Sequence, residues 1–199
     1  RKSVLRNRFT GDMRYVIDME STAATIWCHN SMVIPGLLQS EAYMRYIFRA
    51  HRPSQTQRLI DQYTENRLAR QAVLDNTDQQ FWFVIHEAAL RCLEGIDGGN
   101  SVLEGQARHL MAAIDRPNIE LQVAPFRHGY YPGQEETYMI FGFDSDPQVH
   151  VTYVEQYDGG DILHGERMPR FRTFWDHQRV HALGPEQTRP FLRELSRPS

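Results

Sequence analysis

The most chemically suggestive spacing in the chain is His177-Gln178-Arg179-Val180-His181, two of its nine histidines at i and i+4. On a helix, that spacing can offer two imidazoles to one metal ion. The glutamate that follows the first histidine in zinc peptidases is missing, and no third ligand is evident. Two solvent-facing histidines beside Arg179 is the preferred reading, so no metal and no other cofactor is expected. His86-Glu87 follows the apolar run Phe81-Trp82-Phe83-Val84-Ile85. Polar groups at the end of a buried strand often face a pocket, and an imidazole titrating near pH ~6.5 suits general-base work there. The competing structural reading pairs Glu87 with Arg91 at i, i+4 on a short helix.

Two further groups could contact a ligand. Arg127-His128-Gly129-Tyr130-Tyr131-Pro132-Gly133 mixes aromatic and cationic groups with two glycines and follows a strand end. Its bland alternative is a surface loop whose tyrosines cover the sheet edge. Arg67, Arg70 and Gln71 fall on one helical face, where guanidinium forks could hold a carboxylate or phosphate, or pair with acids of a neighbouring element. Glu155, after the apolar Tyr153-Val154, is a possible partner for one of these arginines. On these grounds the candidate ligand-binding set is Arg67, Arg70, Gln71, His86, Glu87, Arg91, His128, Tyr130 and Glu155. His86, Glu87, His128 and Tyr130 form the acid–base set of an alternative, metal-independent enzyme. GxGxxG, a Walker-type GK[ST], GxSxG and SxxK are all missing, so the common nucleotide-binding and hydrolase motifs find no support.

Positioning these groups requires an ordinary globular chain, and 199 residues with 41% hydrophobic and 24% charged side chains supply one. No apolar run approaches the ~18 residues of a bilayer span. The chain opens without a secretory signal, and Cys28 and Cys92 lack redox or metal spacing, so a cytoplasmic, reducing location is expected. Residues 1–8 carry four cations and no acid; removing that +4 from the net charge of −3 leaves −7 on the other 191 residues. An acidic body is a poor partner for a phosphate backbone.

Residues 13–28 read as a helix, interrupted by Pro35-Gly36; Ser40 caps a second helix reaching about Ala50, and a third spans about 54–75. Strands are expected at 81–85, 119–123, 138–143 and 149–153, with a short helix at 86–91 and another opening at Ser101. The first two strands, linked through helix, should run parallel by a right-handed crossover. Asp144-Ser145-Asp146-Pro147 should join the last two antiparallel. Gly159-Gly160 reads as a loop, followed by helices at about 166–182 and after Gly184-Pro185. The expected architecture is α+β: a helical N-terminal third (subregion 9–76), then a small mixed sheet of about four strands with packed helices (80–199), in one domain covering 9–199.

Several separated segments together resemble one family. Val33-Ile34-Pro35-Gly36-Leu37-Leu38-Gln39-Ser40-Glu41-Ala42-Tyr43 is similar to its V-P-G-L-L-Q-T-x-x-Y hallmark, and Arg67-Leu68-Ala69-Arg70-Gln71 to its R-x-x-R-Q helix. His86-Glu87-Ala88-Ala89-Leu90-Arg91, Pro117 to Phe126 and Val154-Glu155 continue the match in order. The family is the C-terminal module of XRE-type helix-turn-helix regulators of high-GC bacteria, often described as antitoxin-like. The resemblance implies a regulatory domain that binds a small-molecule effector or a small partner protein, while DNA is read by an N-terminal helix-turn-helix missing from this chain. It also implies a possible homodimer, and residues 1–8 as a basic linker remnant. The segment 156–167 is only loosely like the family's T-G-x-x-Y-L. A partner protein would use the helices around Val33 to Tyr43.

Overall fold

The structure, a computed structural model, describes residues 11–144, 146–156, 159–163 and 167–196. The basic segment 1–8, Ser145 in the 144–147 turn, and parts of 156–167 lie outside the described residues. Seven α-helices and six strands are described: α1 Gly11–Thr22, β1 Thr25–Asn30, α2 Glu41–His51, α3 Gln57–Gln71, β2 Gln80–His86, α4 Glu87–Arg91, α5 Gly99–Ile114, β3 Ile119–Ala124, β4 Tyr138–Phe143, β5 Asp146–Gln156, β6 Gly159–Leu163, α6 Met168–His181 and α7 Pro185–Leu195. Short 3₁₀ turns cover Gly36–Leu38, Ala72–Asp75 and Phe126–His128. Ser40 caps α2 by accepting a bond from the Tyr43 N–H at 3.3 Å.

The strands form one mixed sheet in the order β3-β2-β1-β4-β5-β6. β1, β2 and β3 are mutually parallel, and β4, β5 and β6 are added antiparallel beyond β1. The α+β class and helical N-terminal third therefore hold, but the sheet has six strands rather than about four. The expected helix over 13–28 stops at Thr22, and Thr25-Ile26-Trp27-Cys28 enters the sheet as its central parallel strand. Three consecutive β-branched or aromatic side chains, Thr25, Ile26 and Trp27, precede Cys28, and their pairing with β2 and β4 outweighs the weak helical spacing. Gly159-Gly160 opens β6 rather than a loop, because the Tyr153 ring lies over Gly160 and a Cβ there would come within 2.4 Å of it.

Alternation along the strands separates two cores. Ile26, Cys28, Phe81, Phe83, Leu121, Phe141 and Tyr153 face a layer built from α1, α2, α5 and α7, with Val16, Tyr43, Leu110 and Leu192 buried among them. Val84, Ala124, Tyr138 and Ile140 face the other way and are covered by Phe171 and Trp175 of α6 and by Tyr131 of the loop before β4. The first face therefore carries both parallel crossovers, while the chain between β3 and β4 crosses on the second. The two paths diverge at the carboxyl end of β1, a position where open sheets of this kind leave a crevice.

Candidate functional site

Two sets of polar side chains meet at this end of the sheet, one on each face. On the α6 face, His86 ends β2 and caps α4, its Nδ1 accepting from the Ala88 N–H at 3.2 Å. Its ring stands edge-on to Phe126, 5.2 Å between centroids, and burial lowers its pKa against the opposing pull of Glu87. Glu87 accepts from Arg91 Nε at 2.5 Å and from the Phe126 N–H at 2.7 Å. It thus ties the start of α4 to the turn after β3, as the structural reading of the Glu87–Arg91 spacing requires. Arg91 also reaches Glu94. His128 Nδ1 donates to the His181 carbonyl at 2.6 Å, and His181 Nε2 lies 3.2 Å from the Gly129 carbonyl, fastening this loop to the end of α6. Tyr130 is exposed and donates to Glu135, which raises its pKa.

The sequence does not single out His29, because the helical spacing over 13–28 masks most of the strand that carries it. Its side chain is fully buried, with Nδ1 donating to the Glu136 carbonyl at 2.6 Å and Nε2 accepting from the Tyr131 hydroxyl at 3.1 Å. Burial holds its pKa down at about 4, so the ring is neutral. Burial also pushes the Tyr131 hydroxyl up. Among the described residues, no group of three or more His, Cys, Asp or Glu side chains is placed to hold a metal.

The second set lies on the opposite face. Cys28, Met139 and Tyr153 are register partners, so the next row on this face is Asn30, Thr137 and Glu155, closed by the Glu155 N–H to Thr137 carbonyl bond of 2.9 Å. Asn30 Oδ1 accepts from the Cys28 thiol at 3.1 Å. Arg67, Arg70 and Gln71 reach toward this corner from α3, as their shared helical face implied. Arg70 grips Glu20 of α1 with two bonds, Nε–Oε2 2.7 Å and Nη2–Oε1 2.5 Å, and both side chains are buried. Burial works against the charge of Arg70, and the Glu20 carboxylate more than offsets it, so its pKa stands above the ordinary value. The acid that pairs with Arg70 is therefore Glu20, a residue of α1 that carried no motif, and not Glu155. Glu155 is exposed at the end of β5 and acts electrostatically on both arginines without touching either.

Among the described residues, Arg67 has no such partner. Its Nη1 donates to Gln39 Oε1 at 2.6 Å, and its guanidinium lies 4.4 Å from the Phe48 ring centroid. Burial and the neighbouring charge of Arg70 lower its pKa to about 10. Gln39, 2% exposed, donates to the Ile34 carbonyl at 2.7 Å, and Gln71 donates to the Gly36 and Gln39 carbonyls at 3.0 and 2.8 Å. The Pro35-Gly36-Leu37-Leu38-Gln39 segment thus serves to position Arg67. His86 lies across the sheet from Arg67 and Glu155, and Arg91 lies against Phe191 of α7, so the nine candidate residues do not make one pocket. A groove of about 390 Å³ runs beside the first of these turns, between α3 and α5, lined by Leu37, Leu38, Leu68, Ala112 and His109; it includes Gln71 but none of the other candidates.

The model of one family, described as a domain of unknown function (DUF5753), matches residues 13–194. No curated protein matches the chain, and no solved structure does. The chain belongs to the DUF5753 family.

Proposed function

From membership of the DUF5753 family as premise, we propose that the chain is the effector-binding part of a DNA-binding transcription regulator. The resemblance to the C-terminal module of XRE-type regulators supports the regulatory context, and with it a cytoplasmic setting. The observation that carries ligand binding is Arg67: a half-buried guanidinium that, among the described residues, has one hydrogen bond and no carboxylate, held by Gln39 where the chain paths diverge beyond β1. A half-buried cation without a counter-charge is costly unless something supplies one, and an anionic group of an effector would. The effector shifts the regulator by binding its two arrangements unequally. The enzyme alternative gains nothing from its four residues, since His86 Nδ1, Glu87, His128 Nδ1 and the Tyr130 hydroxyl all serve structural bonds.

Native mass spectrometry of the protein purified gently from its host tests this. A small molecule retained by the wild type and lost from Arg67→Gln is the expected result. A wild-type chain that arrives empty, from a regulator whose DNA binding ignores host metabolite extract, would overturn it. The groove beside Leu37 and Leu38 favours a second reading, a small partner protein seated against the partly exposed Leu68. Co-purification of such a protein, abolished by Leu68→Asp and indifferent to Arg67→Gln, would select that reading.

A further inference from the structure

We propose that the corner between Arg67 and Glu155 binds a small zwitterion of the α-amino-acid type, its carboxylate on the Arg67 guanidinium and its ammonium toward the Glu155 carboxylate. This rests on the effector-binding reading above and names the chemistry of the effector. Arg67 and Arg70 stand one turn apart on α3, yet the fold completes only one of them. Arg70 has its bidentate carboxylate in Glu20, whereas among the described residues four of the five donor hydrogens of Arg67 are without an acceptor. That difference makes Arg67 a receiving group, because a guanidinium fork matches the two oxygens of a carboxylate. The fork is already oriented: the Phe48 ring supports one side, and Gly36 lies beside it, where even a Cβ would make only ordinary contact, 3.5 Å from Arg67 Nε. Gln39, fixed in turn by Ile34 and Gln71, holds Nη1. Orientation before binding limits the entropy lost on capture.

Glu155 decides the rest of the ligand. Its carboxylate makes no hydrogen bond or ion pair with a described residue, and it lies in the same end row as Asn30 and Thr137. Arg67, Arg70, Glu20 and Glu155 sum to zero charge. With Arg70 and Glu20 neutralising each other, a phosphate dianion entering there would meet one unpartnered guanidinium and one carboxylate that repels it, whereas a zwitterion meets a complementary charge at each end.

The test is thermal denaturation of the 199-residue chain with glycine and the other common L-amino acids, and with propionate, ethylamine and inorganic phosphate as single-charge or dianionic probes. At least one amino acid should raise Tm by ~4 °C or more at saturation, and the other probes should not. Arg67→Gln should abolish the shift. Should that variant fail to fold, Glu155→Gln at the exposed strand end should still fold and bind the amino acid ~10-fold more weakly. Failure of every amino acid, an equal response to phosphate or propionate, or undiminished binding by Glu155→Gln would each overturn the proposal. The two readings fail separately. A different host molecule held by Arg67 would sink the zwitterion and leave the effector reading intact. An amino acid bound at this corner and chemically converted would keep the site and remove the effector reading.

Discussion

Burial keeps His29 neutral across a pH range in which a free imidazole takes up a proton, and that difference belongs to the folding equilibrium. Its folded pKa is about 4 against an ordinary 6.5. Between those values the unfolded chain binds the extra proton, so this stability is complete above pH 6.5 and is lost as the pH falls toward 4. The shift corresponds to about 3 kcal/mol over the whole window. His86 and His109 are lowered by burial as well and act in the same direction. Urea denaturation should therefore give a protein less stable at pH 5 than at pH 7.5 by at least ~2 kcal/mol. His29→Asn should be weaker at pH 7.5 but show a flatter pH profile; an unchanged slope would mean that His29 is not the group titrating. The Glu20–Arg70 pair makes a different demand. Glu20→Ala leaves a buried guanidinium without its counter-charge and should cost about 3–5 kcal/mol. Glu20→Ala with Arg70→Met removes both charges and should recover part of that loss in the same denaturation assay, because the penalty lies in the orphaned charge rather than in the missing bond.

The loop from Phe126 to Thr137, fastened by the bonds to Glu87, His181 and His29, also makes one close backbone approach to α6. Gly133 has φ +72°, and a Cβ there would fall 2.6 Å from the Phe174 ring of α6. Its carbonyl also accepts from the buried Gln178 Nε2 at 2.9 Å. Gly133→Ala combines a left-handed backbone with an overpacked contact and should cost about 2–4 kcal/mol, read from Tm or urea midpoint. Gly129, equally left-handed at φ +76° but with nothing within 4 Å, should cost only the backbone part, about 1–2 kcal/mol. Elements bounded by strong punctuation were legible from sequence: Ser40 for α2, the apolar run of β2, the 4,3,4 spacing of α5, the alternation of β3. β1 was not, because no glycine or proline separates Thr22 from Thr25, and Tyr15, Ile17, Met19 and Ala23 carry a helical spacing into it. β6 was hidden by its two glycines, whose role depends on a ring ten residues or fewer away in sequence but visible only once the sheet is paired. The site was legible in kind. Arg67, Arg70 and Gln71 share a face as spaced, yet nothing in their segment could show that Glu20 would complete Arg70 and leave Arg67 open.

The sheet as a whole places chemistry at one end and leaves the charge of the body unsuited to nucleic acid. Helices cover one face and α6 with its loop covers the other, so the carboxyl end of β1 is where two differently routed segments part and where Arg67 and Glu155 are found. The remaining surface is acidic on balance, and many of its arginines are already engaged: Arg45, Arg91, Arg116, Arg179 and Arg189 each lie against an aspartate or glutamate. Residues 9–199 carry a net −7 once the +4 of residues 1–8 is set aside from the chain's −3. Those four terminal cations limit what the chain can gain by releasing counterions from a duplex, and the slope of log K against log salt should be no steeper than about −4. Fluorescence anisotropy with labelled duplexes should accordingly show weak binding, indifferent to sequence, that disappears when residues 1–8 are removed. Under the proposed reading, a regulator in which this domain is joined to a helix-turn-helix should bind with a steeper slope and a preference for its own operator. A steep slope or a sequence preference that survives removal of residues 1–8 would locate a DNA reader within the acidic body. The division of labour proposed here between reading DNA and binding an effector would then be wrong.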